Sequence, residues 1–91
     1  MSIHIRIPAP LRKLTSEADV VTVEGTTVAE VLVRLDQTYP GIGERICDAN
    51  GDVRRFINIF VNGEDIRFLQ EKATPVADGD EVSILPAIAG G

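Results

Sequence analysis

The sequence has few of the residues from which disulfides, metal sites and catalytic constellations are built. Among 91 residues there is one cysteine, Cys47, and one histidine, His4. A single cysteine cannot form an internal disulfide, so a reducing compartment is expected. There is no Ser/His/Asp set, metal-ligand spacing or phosphate-binding glycine loop, which disfavours an enzyme with its own active site or cofactor. We therefore expect Cys47 to be structural and His4 to be a surface strand residue.

Basic residues are also scarce. Nine Lys and Arg residues stand against 14 Asp and Glu residues, for a net charge of −5. Nucleic-acid binding requires a basic footprint and is disfavoured. The dispersed acids predict a solvated surface that is compatible with docking onto a basic patch of a partner. The sequence also lacks a charged-then-apolar leader and an apolar run of about 18 residues. We expect a cytoplasmic protein without a membrane span.

Hydrophobic periodicity predicts one domain over residues 1–91 with a flexible tail at 86–91. Alternating apolar residues and turn signals predict strands at 3–7, 19–24, 55–61, 65–68 and 81–85. A helix is predicted at 28–39 because Thr27 and Glu30 form a capping box ahead of an apolar stripe of Val28, Val31, Leu32 and Leu35. A short second helix is predicted at 42–47. This order indicates an α+β fold of the β-grasp (ubiquitin-like) type, with a mixed sheet of four to five strands covered by one main helix.

The strand alternation also predicts a surface for a partner. If the isoleucines at 3, 5, 57, 59 and 84 face the helix together with Val82, the opposite face carries Phe60 and Leu85. Apolar side chains in such a polar setting are typical of a docking surface. Single exposed apolar residues are also ordinary on any protein surface, so both interpretations stay open.

The end of the chain is the most distinctive stretch. Pro86 removes a backbone donor and closes the last strand. The small-residue tail beyond it can reach about 20 Å when extended. Gly90 and Gly91 have no Cβ, which leaves the last carbonyl open to attack from either face. Such a tail can be threaded into another protein's active site, and a frayed terminus is the alternative.

Residues 56–68, together with 78–91 and their terminal Gly-Gly, resemble the MoaD/ThiS family of sulfur carriers, and most of all its CysO type. The resemblance covers the whole chain. It implies that an E1-like enzyme uses ATP and magnesium to adenylate Gly91, and that sulfur then replaces AMP to leave a thiocarboxylate. It also implies that the partner takes up the tail residues Ala87, Ile88, Ala89 and Gly90.

For the CysO type, the resemblance implies that a PLP-dependent cysteine synthase accepts the sulfur and that a metallopeptidase releases cysteine. Sulfur donation to molybdopterin, through the large subunit of molybdopterin synthase, is the alternative within the family. Two further hypotheses remain open from the sequence. One is a ubiquitin-like modifier that forms isopeptide bonds with lysines, and the other is a non-covalent β-grasp interaction module.

Overall fold

The sheet forms from the segments in which β-branched residues alternate with polar ones. The computed structural model describes residues 2–86. It contains the strands β1 (Ser2–Arg6), β2 (Val20–Glu24), β3 (Ile57–Val61), β4 (Glu64–Asp65) and β5 (Glu81–Pro86). Their order in the sheet is β2-β1-β5-β3-β4. β1 and β5 are parallel and the other neighbours are antiparallel, so the sheet is mixed, as predicted.

The core lies between one face of this sheet and the helices. Its described members are Ile, Leu and Val side chains, while the three Phe side chains of the protein lie outside it. β1 and β2 follow the alternation strictly, since every second residue is buried and its neighbours are exposed. In β2 the inward residues are therefore Val21 and Val23, and Val20 is exposed. Ile57 was expected to face inward and is only half-buried against the core.

The main helix, α1 (Val28–Thr38), forms as its capping box and apolar stripe predict. Thr27 Oγ1 accepts the backbone N–H of Glu30 at 3.2 Å. The Glu30 carboxylate reaches one residue further back than expected and accepts the N–H of Thr26 at 2.8 Å. Together they satisfy two N–H groups at the start of the helix. The four predicted stripe residues are buried, and the helix ends at Thr38, one residue earlier than expected.

The short helix α2 (Ile42–Ile46) is held to α1 by one carboxylate. Asp36 Oδ1 accepts the N–H groups of Gly41 at 3.2 Å and Gly43 at 2.8 Å. Gly41 has φ +100°, a left-handed conformation that favours glycine. The sharp turn between the helices buries Ile42 and Ile46 against the core.

Two strand predictions need correction. A return strand over 65–68 was wrong, because β4 contains only Glu64–Asp65 and Ile66–Phe68 is a 3-10 helix. The Asp65 carboxylate accepts the backbone N–H of Arg67 at 2.9 Å and so favours a turn over continued strand pairing. β3 begins at Ile57 rather than at 55, since the Ile57 N–H is donated to the carbonyl of Arg54 at 2.9 Å in a turn. The hairpin at Asn62-Gly63 is confirmed, with positive φ at both residues.

Candidate partner-docking site at the base of the C-terminal tail

The tail leaves from the middle of the sheet. β5 lies between β1 and β3, and its last residue, Pro86, is opposite Ile57. The residues predicted to react or to enter a partner, Ala87, Ile88, Ala89, Gly90 and Gly91, lie outside the described residues. The structure therefore describes the surface from which the tail begins.

Phe60 and Leu85 lie on the sheet face opposite the helices, as the alternation predicted. Phe60 is opposite Ser83, and Leu85 is opposite Asn58. Leu85 is 48% exposed, whereas Phe60 is half-buried rather than exposed. Leu85 thus presents the larger apolar fraction next to the start of the tail.

Polar and charged groups share the outer face of the sheet with these apolar side chains. Arg6 Nη1 and Glu81 Oε2 form an ion pair at 3.5 Å between β1 and β5. The Nδ1 of His4 lies 3.3 Å from Thr22 Oγ1 on β2, and His4 is exposed on its strand as predicted. The outer face therefore combines isolated apolar groups with a polar rim, which is the usual composition of a transient interface.

Two exposed aromatic residues were not identified as candidates from the sequence. Phe56 is 66% exposed and directly precedes Ile57, the residue opposite Pro86. Phe68 is 84% exposed at the end of the 3-10 helix Ile66–Phe68. Strand alternation placed Phe56 and Phe68 inside predicted strands. In the structure both residues lie in turns or a 3-10 helix instead, and this is why their side chains are exposed. Exposed aromatic side chains are enriched among residues that anchor protein partners.

A cleft of about 290 Å³ lies beside the start of β3. Three arginines line it, Arg54, Arg55 and Arg67. Arg67 is held by Asp65, whose Oδ2 accepts from Nη2 at 2.7 Å and from Nε at 3.1 Å. The hydrogen bonds from the Arg67 side chain, followed by that from its backbone N–H, hold the pKa of Asp65 below its ordinary value.

Cys47 and the acidic turn that follows it have structural surroundings. Cys47 is half-buried, and burial raises the pKa of its thiol, so the reactive thiolate is disfavoured. The Asp48 carboxylate accepts the N–H groups of Asn50 at 2.9 Å and Asp52 at 3.1 Å, which closes the turn. Within residues 2–86, no group of three or more His, Cys, Asp or Glu residues could hold a metal ion. The same part of the chain contains no helix with the length and apolarity needed to cross a membrane.

The Asp65–Arg67 contact gives a prediction for pH dependence. Asp65→Asn is expected to lower the melting temperature at pH 7 by about 3–6 °C, because a charge-assisted contact is lost. A carboxyl group whose folded-state pKa is lowered stabilises the fold above its unfolded-state pKa and loses that effect as the pH falls. The difference between variant and wild type should therefore shrink below about pH 4. Thermal unfolding from pH 3 to pH 8 measures it.

Glu64→Gln is the matched control, since it removes one carboxylate from the exposed neighbouring position of the same strand. We expect this control to change stability little at any pH. A destabilisation by Asp65→Asn that is equally large at pH 3 and at pH 7 would contradict the electrostatic explanation.

Comparison with known proteins accounts for this arrangement. The sequence pattern of the ThiS family matches residues 5–91. The chain belongs to the ThiS family. It is 45% identical over 93 aligned residues to the sulfur carrier protein CysO of Mycobacterium tuberculosis, with both chains covered completely. It is 31% identical, also over both full lengths, to the small archaeal modifier protein 3 of Haloferax volcanii.

Solved structures agree with this family assignment. The crystal structure of the BexX/CysO complex of Amycolatopsis orientalis contains a chain that matches this ThiS-family chain with a TM-score of 0.91 and 38% identity. The match covers 98% of this chain and 99% of the other. The predicted β-grasp fold and the resemblance to CysO-type sulfur carriers are therefore confirmed.

Proposed function

We propose that this chain is a sulfur carrier for cysteine biosynthesis and that Gly91 carries the sulfur as a thiocarboxylate. The observation that carries the proposal is the full-length similarity to CysO, within a family match that extends to the last residue. Three structural features also suit a carrier better than a catalyst. They are the small core, the half-buried thiol of Cys47 and the exposed Leu85 beside the start of the tail. We place the reaction in the cytoplasm, where ATP is available and a single cysteine stays reduced.

The chemistry requires activation because a carboxylate is a poor electrophile. A Gly91 carboxylate oxygen attacks the α-phosphate of ATP and displaces pyrophosphate, so the glycyl carbonyl is joined to AMP. A sulfur nucleophile then attacks that carbonyl, and AMP leaves with the bonding electron pair. An E1-like partner supplies the ATP site and the magnesium, while the carrier supplies the terminal carboxylate and the tail of Ala87, Ile88, Ala89 and Gly90.

The receiving partner is proposed to be a PLP-dependent cysteine synthase, with a metallopeptidase releasing the product. The large subunit of molybdopterin synthase is the alternative acceptor. Phe60 and Leu85 are proposed to contact the partner on the outer face of the sheet, with the tail inserted beside them. The existence of a BexX/CysO complex supports docking of this kind, since a carrier with the same fold is bound there to another protein.

Intact mass spectrometry tests the proposal. Untagged protein incubated with an E1-like activating enzyme, ATP, magnesium and a sulfide source is expected to gain about 16 Da, the exchange of oxygen for sulfur, at Gly91. A further addition of cysteine mass with the synthase present would identify the cysteine branch. The activating enzyme is first shown to modify a known sulfur carrier. If the mass of the present chain then stays unchanged with that enzyme, the sulfur-carrier function is rejected.

Protein modification is a second candidate, favoured by the full-length similarity to small archaeal modifier protein 3. In that case the activated Gly91 carbonyl is transferred to a lysine amine instead of to sulfur. Proteolysis of a cell extract followed by mass spectrometry would reveal lysines joined through an amide bond to Gly91. Their absence under conditions in which the thiocarboxylate forms would leave sulfur transfer as the function.

A further inference from the structure

We propose that the arginine-lined cleft beside β3 receives an acidic segment of the E1-like activating enzyme that takes up the tail. The cleft is called here the arginine cleft and is defined by Arg54, Arg55, Ile57 and Arg67. The inference rests on the proposed function, because it requires a partner that binds the tail. It adds a second, charge-selective contact to the apolar contacts of the outer sheet face.

The charge of the arginine cleft is opposite to that of the whole chain. The chain carries a net charge of −5, with nine basic residues in total. Three of those nine line this one cleft, against two carboxylates, Asp65 and Glu71. Asp65 is already engaged by Arg67, so Glu71 is the carboxylate left to oppose the other two guanidinium groups. A negatively charged occupant is therefore favoured here.

The arginines are placed so that they can bind carboxylates. Arg54 is fixed at the end of α2, since its backbone N–H is donated to the Ile46 carbonyl at 2.8 Å and its Nε to the Glu44 carbonyl at 2.9 Å. Its two terminal nitrogens have no hydrogen-bond partner within residues 2–86, and the residue also lines a neighbouring cleft together with Asp36, Glu44 and Asp48. Arg55 is exposed, and its side chain has no hydrogen-bond or ion-pair partner within residues 2–86. A planar guanidinium can donate two parallel hydrogen bonds to one carboxylate.

The position of the cleft indicates which molecule provides those carboxylates. Ile57 lines the cleft and is opposite Pro86, the last described residue before the tail. The exposed Phe56 lies between Arg55 and Ile57 in the chain. A partner that holds the five tail residues must bring its surface within about 17 Å of Pro86. Carboxylates at the entrance to its active site would then face the arginine cleft.

The opposite end of β5 has the reverse charge, which would orient the partner. Asp78 and Asp80 directly precede β5 and Glu81 begins it, five residues or about 17 Å along the strand from Pro86. A partner surface that is acidic around the opening for the tail, and less acidic where it meets the start of β5, would be attracted in one orientation. Electrostatic patterns of this kind increase association rates and select partners.

Arg55→Glu tests the inference, because it reverses one charge at a side chain without described contacts. With the activating enzyme, ATP and sulfide, we expect the KM for the carrier to rise about tenfold or more while kcat stays unchanged. The increase should become smaller at high ionic strength, since the contact is electrostatic. Arg55→Lys, which keeps the charge and loses the planar fork, should have a smaller effect.

Arg34→Glu is the matched control, since it makes the same charge change at an exposed position of α1, away from the tail. Far-UV circular dichroism and thermal unfolding verify that each variant folds. If wild type is converted to the thiocarboxylate and Arg55→Glu and Arg34→Glu have the same KM, the arginine cleft does not bind the partner. The proposed sulfur-carrier function is then unaffected. If wild type itself gains no mass, the proposed function fails, and the docking inference fails with it.

A charge exchange provides the final check. Each Asp or Glu at the tail entrance of the activating enzyme is replaced in turn by Arg, and each variant is assayed with Arg55→Glu. If one enzyme variant restores the wild-type KM with the Arg55→Glu carrier, Arg55 and the replaced carboxylate contact each other in the complex. Equal KM values for all enzyme variants with the Arg55→Glu carrier would overturn it.

Discussion

A carrier with one alanine added after Gly91 is expected to form no detectable thiocarboxylate, whereas wild type should be converted. The added residue moves the free carboxylate away from the second glycine and adds a Cβ where the tail has none. Since the terminal carboxylate is the proposed reacting group, no other group of the chain is expected to replace it. The measurement is the intact mass after incubation with the activating enzyme, ATP and sulfide.

The same alanine placed before Met1 is the control, because it changes the mass and length equally and leaves Gly91 free. Both proteins should unfold at the same temperature as wild type if neither addition disturbs the sheet. Conversion of the extended tail at the wild-type rate would show that the sulfur enters elsewhere. It would also remove the basis for assigning the reacting group to Gly91.

Leu35→Ala is expected to destabilise the fold by about 2–5 kcal/mol. Leu35 has no exposed surface and packs in the core under the sheet. Removing its side chain loses burial and leaves a cavity that the surrounding isoleucines and valines fill only in part. Domains of this size are stable by about 5–15 kcal/mol, so the loss is a large share of the total. Urea unfolding measures the difference in the free energy of unfolding, with one common dependence on urea concentration fitted to both proteins.

Val33→Ala is the control on the same helix. Val33 is 56% exposed, and alanine is the better helix former, so the expected change is within about 0.5 kcal/mol. Equal effects of the two substitutions would show that α1 does not cover the core in solution. A loss of stability by Leu35→Ala without loss of thiocarboxylate formation at low temperature would separate folding from function.

The sequence correctly predicted the helix, strands and turn that are specified by residues close together in the chain. The period of two in β1 and β2 and the i, i+3, i+4 stripe of α1 appear directly in their buried faces. Asn62-Gly63 predicted the hairpin because both residues accept a positive φ. The strand ends at 55–56 and 66–68 were predicted wrongly because local hydrogen bonds, at Arg54–Ile57 and Asp65–Arg67, compete with strand pairing.

By itself, the sequence determined the fold class, the family resemblance and the residue proposed to react, since each depends on local patterns or on the order of residues along the chain. Only the tertiary structure placed β5 between β1 and β3, which brings Pro86 beside Ile57. Only the tertiary structure gathered Arg54, Arg55 and Arg67 around one cleft and left Phe56 and Phe68 exposed. Sheet order depends on pairing between distant segments, and burial depends on everything packed around a side chain. Neither can be read from the spacing of residues in one segment.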